Sequence, residues 1–162
     1  MKILHEKPPE WIMQGCLNQF RVNVDRTYWT YGDTLYNPGG RPLPDDIFVH
    51  EERHSRQQEV YQELDVETKP GEHADVSSPR TVTASGKDAW WRRYLADPRF
   101  RMEMESDAYA AQYRFFCSRE RDRNRRALYL HGLARTLAGS LYQVAIPLQK
   151  AREMIRVLSG VA

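Results

Sequence analysis

The chain of 162 residues has only 2 cysteines, Cys16 and Cys117, far apart and in no Cys-x-x-Cys spacing. That excludes a disulfide framework and a cysteine-based metal or redox motif, and leaves two buried free thiols as the expectation. Long apolar runs are missing as well. Nothing approaches the roughly 18 uncharged apolar residues of a membrane span. The polar start from Met1 to Glu10 lacks an apolar signal segment, so neither membrane insertion nor standard export is expected. Internal repeats and low-complexity segments are absent, and 41% hydrophobic with 28% charged residues is the composition of an ordinary folded chain. The length fits a single domain over 1–162, with residues 1–19 as an N-terminal arm.

Strong charge of one sign is also lacking, since the net charge is +2. The balance is uneven: residues 1–89 carry 10 basic and 15 acidic side chains, and residues 90–162 carry 14 and 7. Opposite halves of one domain attract each other, the simplest use of such a split. The basic run Arg119, Arg121, Arg123, Arg125 and Arg126 is interleaved with Glu120 and Asp122 and carries no aromatic residue to stack on bases. It reads as a solvated helix end, and a nucleic-acid partner is not expected.

The elements predict an α+β, mostly α chain. From Phe20 to Tyr36 the residues favour strands, with Thr27–Tyr31 returning through Gly32-Asp33 into Thr34–Tyr36 as a small antiparallel sheet. After the chain breakers Asn37 to Pro42, Pro44-Asp45-Asp46 starts a helix expected from about Asp46 to about Leu64. A long loop follows over 65–86, its polar run Asp65 to Ser85 containing Pro70, Gly71 and Pro79. A short helix from Asp88 ends at Asp97-Pro98. A long one then runs to about Phe116 with Phe100, Met104, Ala108, Ala111 and Phe115 as its core face. Leu130, Leu133, Leu137 and Leu141 make a third amphipathic pattern, and Gln149 to Leu158 a last short helix. Trp90 and Trp91 are assigned to the core, and His5 and His131, without partners at ligand spacing, are left as structural.

One constellation carries chemistry. His50-Glu51-Glu52-Arg53-His54 matches the His-Glu-x-x-His pattern on the helix after the proline-rich turn. Four residues are one helical turn, so both imidazoles lie on one face and can offer nitrogens to one zinc ion. Glu51 then reaches a water in the metal's open position as general base. The plainer alternative is a surface helix with two histidines four apart. A third ligand is sought on the second long helix, where Glu103 and Glu105 point in different directions. Glu105 lies about 80° from the centre of the expected core face and Glu103 about 120° away on the other side, so Glu105 is chosen and Glu103 held in reserve. Tyr109 is taken as the hydrogen-bond donor to a transition state, with Tyr113 and His73 as the other candidates.

These residues resemble the gluzincin-type metallopeptidases in a minimal form. More closely, Leu43-Pro44-Asp45, His50-Glu51-x-x-His54-x-x-Gln57-Gln58, Trp90-Trp91-x-x-Tyr94-Leu95, Phe100-Arg101, Glu105-x-x-Ala108-Tyr109-x-x-Gln112-Tyr113 and Leu141-Tyr142 resemble small zincin-like proteins encoded by tailed bacteriophages and prophages. The resemblance spans roughly residues 20 to 158. It implies one Zn2+ per chain, Glu105 before Ala108-Tyr109 as third ligand, and hydrolysis of a peptide bond in a peptide or protein substrate. It also implies a place in the cytoplasm of an infected bacterial host or on the virion. An alignment on Glu-x-Glu-x-Asp, as in some membrane-associated gluzincins, chooses Glu103 instead and puts Asp107 behind the ligands. Zincins bind extended substrates along an edge strand, a role open to the Thr27–Tyr36 hairpin. The rival expectation is a non-catalytic phage structural or assembly protein that keeps the fold, with zinc as a clip or missing.

Overall fold

The computed structural model describes residues 1–20, 22–61, 86–143 and 145–161. The expected loop over 65–85, with His73 in it, lies outside the described residues. Six helices dominate: α1 (Glu10–Gln19), α2 (Asp45–Val60), α3 (Gly86–Ala96), α4 (Pro98–Arg119), α5 (Arg123–Leu137) and α6 (Leu148–Ser159). Three short strands, β1 (Lys2–Leu4), β2 (Trp29–Tyr31) and β3 (Thr34–Tyr36), form one sheet in the order β1-β3-β2. The mostly α class with a small sheet is what the sequence predicts. No described helix is long and apolar enough to cross a membrane.

The sheet is mixed, which corrects the antiparallel expectation. β2 and β3 form the expected hairpin with Thr30 opposite Leu35, but β1 joins in parallel with Ile3 opposite Leu35. The N-terminal arm is therefore structured, as β1 and then α1, which starts after Pro9 and buries Ile12 and Cys16 one turn apart. Three residues are too few to show strand alternation, and Pro8-Pro9 was the helix-start signal available in that stretch. The strand pattern Phe20, Val22 and Val24 is also corrected. Phe20 turns into the core, and Val24–Arg26 closes as a 3-10 turn capped by the Asn23 side chain.

Local chemistry explains the helix boundaries. Asp97 accepts from the Arg99 and Phe100 amides with Pro98 in the first turn of α4, and Asp122 caps α5 through Asn124 and Arg125. The basic run thus divides at a cap. Arg119 and Arg125 pair with Asp45 and Glu120 at the surface.

Two apolar clusters hold the helices together. One gathers Ile12, Cys16, Phe20, Trp29, Trp90, Trp91 and Phe100 from α1, the sheet, α3 and the start of α4. The other gathers Tyr113, Cys117, Leu130, Leu137, Ala151 and Ile155 from α4, α5 and α6. α4 belongs to both, and its buried face follows the expected one only in part. Phe100 and Ala108 are buried as expected, but Met104, Ala111 and Phe115 are half-buried, and Arg101, Glu105, Tyr109 and Gln112 are buried as well. Polar residues enter the buried face where it meets the histidines and Gln57 of α2.

The turn before α2 is tightly fitted. Asn37 is buried and closes the turn through both its amide atoms to Arg41, and a Cβ on Gly39 would stand 2.0 Å from the Asp25 carbonyl oxygen. Gly39→Ala should therefore cost at least about 2 kcal/mol in denaturant unfolding. An unchanged midpoint would show that this contact is not kept in solution.

Candidate metal centre

α2 and α4 cross at the seam between the two clusters and bring three potential ligands together. His50, His54 and Glu105 are 7%, 7% and 3% exposed, and one donor atom from each lies within 4.8 Å of the others. The two Nε2 atoms face each other at 3.1 Å. Glu105 Oε2 is 3.5 Å from His50 Nε2, and Oε1 is 3.4 Å from His54 Nε2. Glu103 is exposed on the other side of α4. Its neighbour Asp107 sits behind His54, accepting from Arg53 Nε at 2.5 Å and from Gln57 Nε2 at 2.8 Å.

The groups behind the imidazoles settle which nitrogen carries the hydrogen. His50 Nδ1 meets Gln112 Oε1 at 3.2 Å, and His54 Nδ1 meets Gln57 Oε1 at 2.9 Å. Neither amide is free to turn over. Gln112 Nε2 donates to the Asp46 carboxylate at 3.0 Å, and Gln57 Nε2 donates to Asp107 and to the Met104 carbonyl. Carboxylates only accept, so both amide oxygens must face the rings and both Nδ1 atoms must donate. Each neutral imidazole then presents a bare Nε2 lone pair to the other. Glu105 adds a third: Tyr94 donates to Oε1 at 2.7 Å, while Oε2 is buried without a hydrogen-bond partner. Three lone pairs aimed at one point repel unless a positive centre lies between them. Two imidazoles and one carboxylate are a catalytic zinc donor set, and the residues fit that ion.

Titration follows the same geometry. Burial raises Glu105, but the two imidazoles outweigh it and hold the carboxyl well below the usual range. Burial opposes a charge on His54, yet Glu105, with Glu51 and Gln57 in support, lifts it to about 9. Glu105, 3.4 Å from His54 Nε2, thus favours the protonated ring when no cation is bound.

A cleft of about 370 Å³ opens onto this centre. Glu51 lines it next to the ligands, 8% exposed, with the Thr30 hydroxyl donating to Oε2 at 2.8 Å. Tyr109 also lines it, its ring centroid 4.5 Å from that of His50 and its hydroxyl 2.8 Å from that of Tyr142. Burial pushes both phenols above their ordinary value, so they stay protonated. Tyr113 shares the C-terminal core cluster with these two but does not line the cleft. β2 is the edge strand on the side of the cleft, but its Thr30 carbonyl is already taken by Gln58 Nε2 and Trp91 Nε1, each at 3.0 Å. The wall of the cleft is the stretch before it, Arg26 to Trp29. Gln57, Gln112, Thr30, Tyr94 and Tyr142 are site residues that the sequence reading gave no role. Gln57 and Gln112 carried a signal in their spacing, one turn beyond His54 and two turns beyond Glu105 on the same faces.

Two outcomes follow for metal binding. Gln57→Leu and Gln112→Leu should each weaken zinc binding about 10-fold to 100-fold with little loss of fold, read by competition with a chromophoric chelator. Below about 9 zinc must displace the His54 proton, so affinity should climb with pH, about tenfold per unit where one proton is lost, and level off above that point. A flat profile at lower pH would show that His54 is not protonated in the metal-free chain.

No family model matches the chain, and no curated protein or solved structure matches it either.

Proposed function

We propose that the chain is a zinc-dependent hydrolase of peptide bonds, with His50, His54 and Glu105 holding one zinc ion and Glu51 as general base. The observation that carries the reading is the convergence of two imidazole Nε2 atoms and a carboxylate oxygen without a hydrogen-bond partner on one cleft, with a second carboxylate beside them. Three protein ligands leave a fourth position open, as in catalytic rather than structural zinc. Zinc bound there would polarise a carbonyl and lower the pKa of a water.

The chain's own residues supply the rest. Glu51 takes the proton of the attacking water and passes it to the leaving amine. Thr30 holds Glu51 Oε2, which fixes how the carboxylate is turned. In the Tyr109–Tyr142 pair one hydroxyl proton is spent on the neighbour, leaving the other to donate to the oxygen on which charge develops. The wall from Arg26 to Trp29 offers backbone to an extended peptide. The resemblance to zincin-like proteins of tailed bacteriophages agrees with this reading. A non-catalytic binding role is favoured by one feature: the protonated His54 against Glu105 gives the metal-free site a charge-balanced state of its own.

The protein purified without chelators should carry about one zinc per chain, lost in His50→Ala and Glu105→Ala. Glu51→Gln should keep the metal and slow peptide hydrolysis by about 100-fold to 10,000-fold. A chain that takes up no metal when zinc is supplied would sink the mechanism. Zinc retention with no hydrolysis to lose would favour the binding role.

A further inference from the structure

The cleft carries one charged side chain outside the metal centre. Its other charged or titrating walls are His50, Glu51, His54, Glu105, the Cys16 thiol and the phenols, and the remainder is largely apolar and aromatic, including Val22, Ile47 and Leu133. The exception is Arg26, exposed at the end of the Val24–Arg26 turn. Among the described residues its guanidinium pairs with no carboxylate. Most of the other described arginines also lack a carboxylate partner, so what sets Arg26 apart is its place on the wall of the cleft.

The backbone under Arg26 is held from several sides. Asn23 caps the turn through the Asp25 amide, and its own carbonyl takes the Thr27 hydroxyl at 2.8 Å. The Arg26 carbonyl accepts from Arg41 Nη1 at 2.8 Å, the Val24 carbonyl from Trp29 Nε1 at 3.5 Å, and Gly39 closes against Asp25. Such a turn presents its cation from a fixed base, and an arginine fork matches a carboxylate in charge and shape. We infer that Arg26 is a specificity-determining residue that selects a carboxylate on the peptide substrate, near the scissile bond and beside apolar or aromatic residues. This rests on the peptide-hydrolase reading for the nature of the ligand.

The test uses the full-length chain with Glu51→Gln, so that binding is read without turnover. Blocked peptides of alanine and leucine carry a single glutamate moved through the sequence, each with its glutamine counterpart, and one glutamine peptide has a free C-terminal carboxylate. Titration calorimetry should show one glutamate position, or the free terminus, binding about fivefold more tightly than its neutral counterpart. The preference should vanish with Arg26→Ala, survive in part with Arg26→Lys, and turn against the acidic peptide with Arg26→Glu. A preference that is unchanged by Arg26→Ala, no preference, or no binding of any peptide would each overturn the inference. The two readings fail separately. Wild-type protein that shows the Arg26-dependent preference but hydrolyses none of the peptides loses the hydrolase reading and keeps the subsite. Protein that hydrolyses acidic and neutral peptides alike keeps the hydrolase reading and loses the subsite.

Discussion

The structure turns on two imidazole nitrogens that face each other at 3.1 Å with a buried carboxylate beside them. Burying such groups is unfavourable unless each polar atom is matched. Much of the polar machinery of α2 and α4 does that matching. Gln57 and Gln112 hold the Nδ1 atoms, Asp107 and Asp46 hold the amides, and Tyr94 takes one oxygen of Glu105. Asp46 in turn takes the Tyr129 hydroxyl, whose ring stacks on Phe116 at 3.9 Å. The polar network ends on apolar packing at the outside of the α4–α5 pair, so site and core are one construction.

The same logic explains a helix that looks wrongly coloured. α4 buries Arg101, Glu105, Ser106 and Gln112 while Met104 and Phe115 are only half-covered. Arg101 donates to the carbonyls of Tyr94, Leu95 and Tyr142 and lies over the Phe20 ring. It ties the end of α3 and the turn after α5 to one point. Those two segments bring Tyr94 and Tyr142 to the centre, so a buried cation sets the position of the hydroxyls that meet Glu105 and Tyr109.

Much of this was legible in the residues. Helix starts at Pro44-Asp45 and Asp97-Pro98, the Gly32-Asp33 hairpin and the one-turn spacing of His50 and His54 are local signals, and local signals read well. Glu105 was preferred to Glu103 from a helix face drawn through apolar residues. The buried face keeps Phe100 and Ala108 and takes in Glu105 itself, whereas Met104 and Phe115 are only half-buried, so the direction was useful although the centre of the face was misplaced. What stayed hidden depends on distant partners. β1 has meaning only against β3, the Val24–Arg26 turn only against Asn23, Gly39 and Arg41, and Tyr142 only once Arg101 has drawn its backbone inward.

Each imidazole meets a neutral amide, with the carboxylate one step further back. A carboxylate bonded directly to the ring would draw its hydrogen away and make Nε2 a stronger electron donor. An amide does so far less, so a cation held by these rings would keep more of its charge and would act as a stronger Lewis acid. The amides thus set electron demand as well as orientation, and exchanging Gln57 or Gln112 for an acid would trade reactivity for grip.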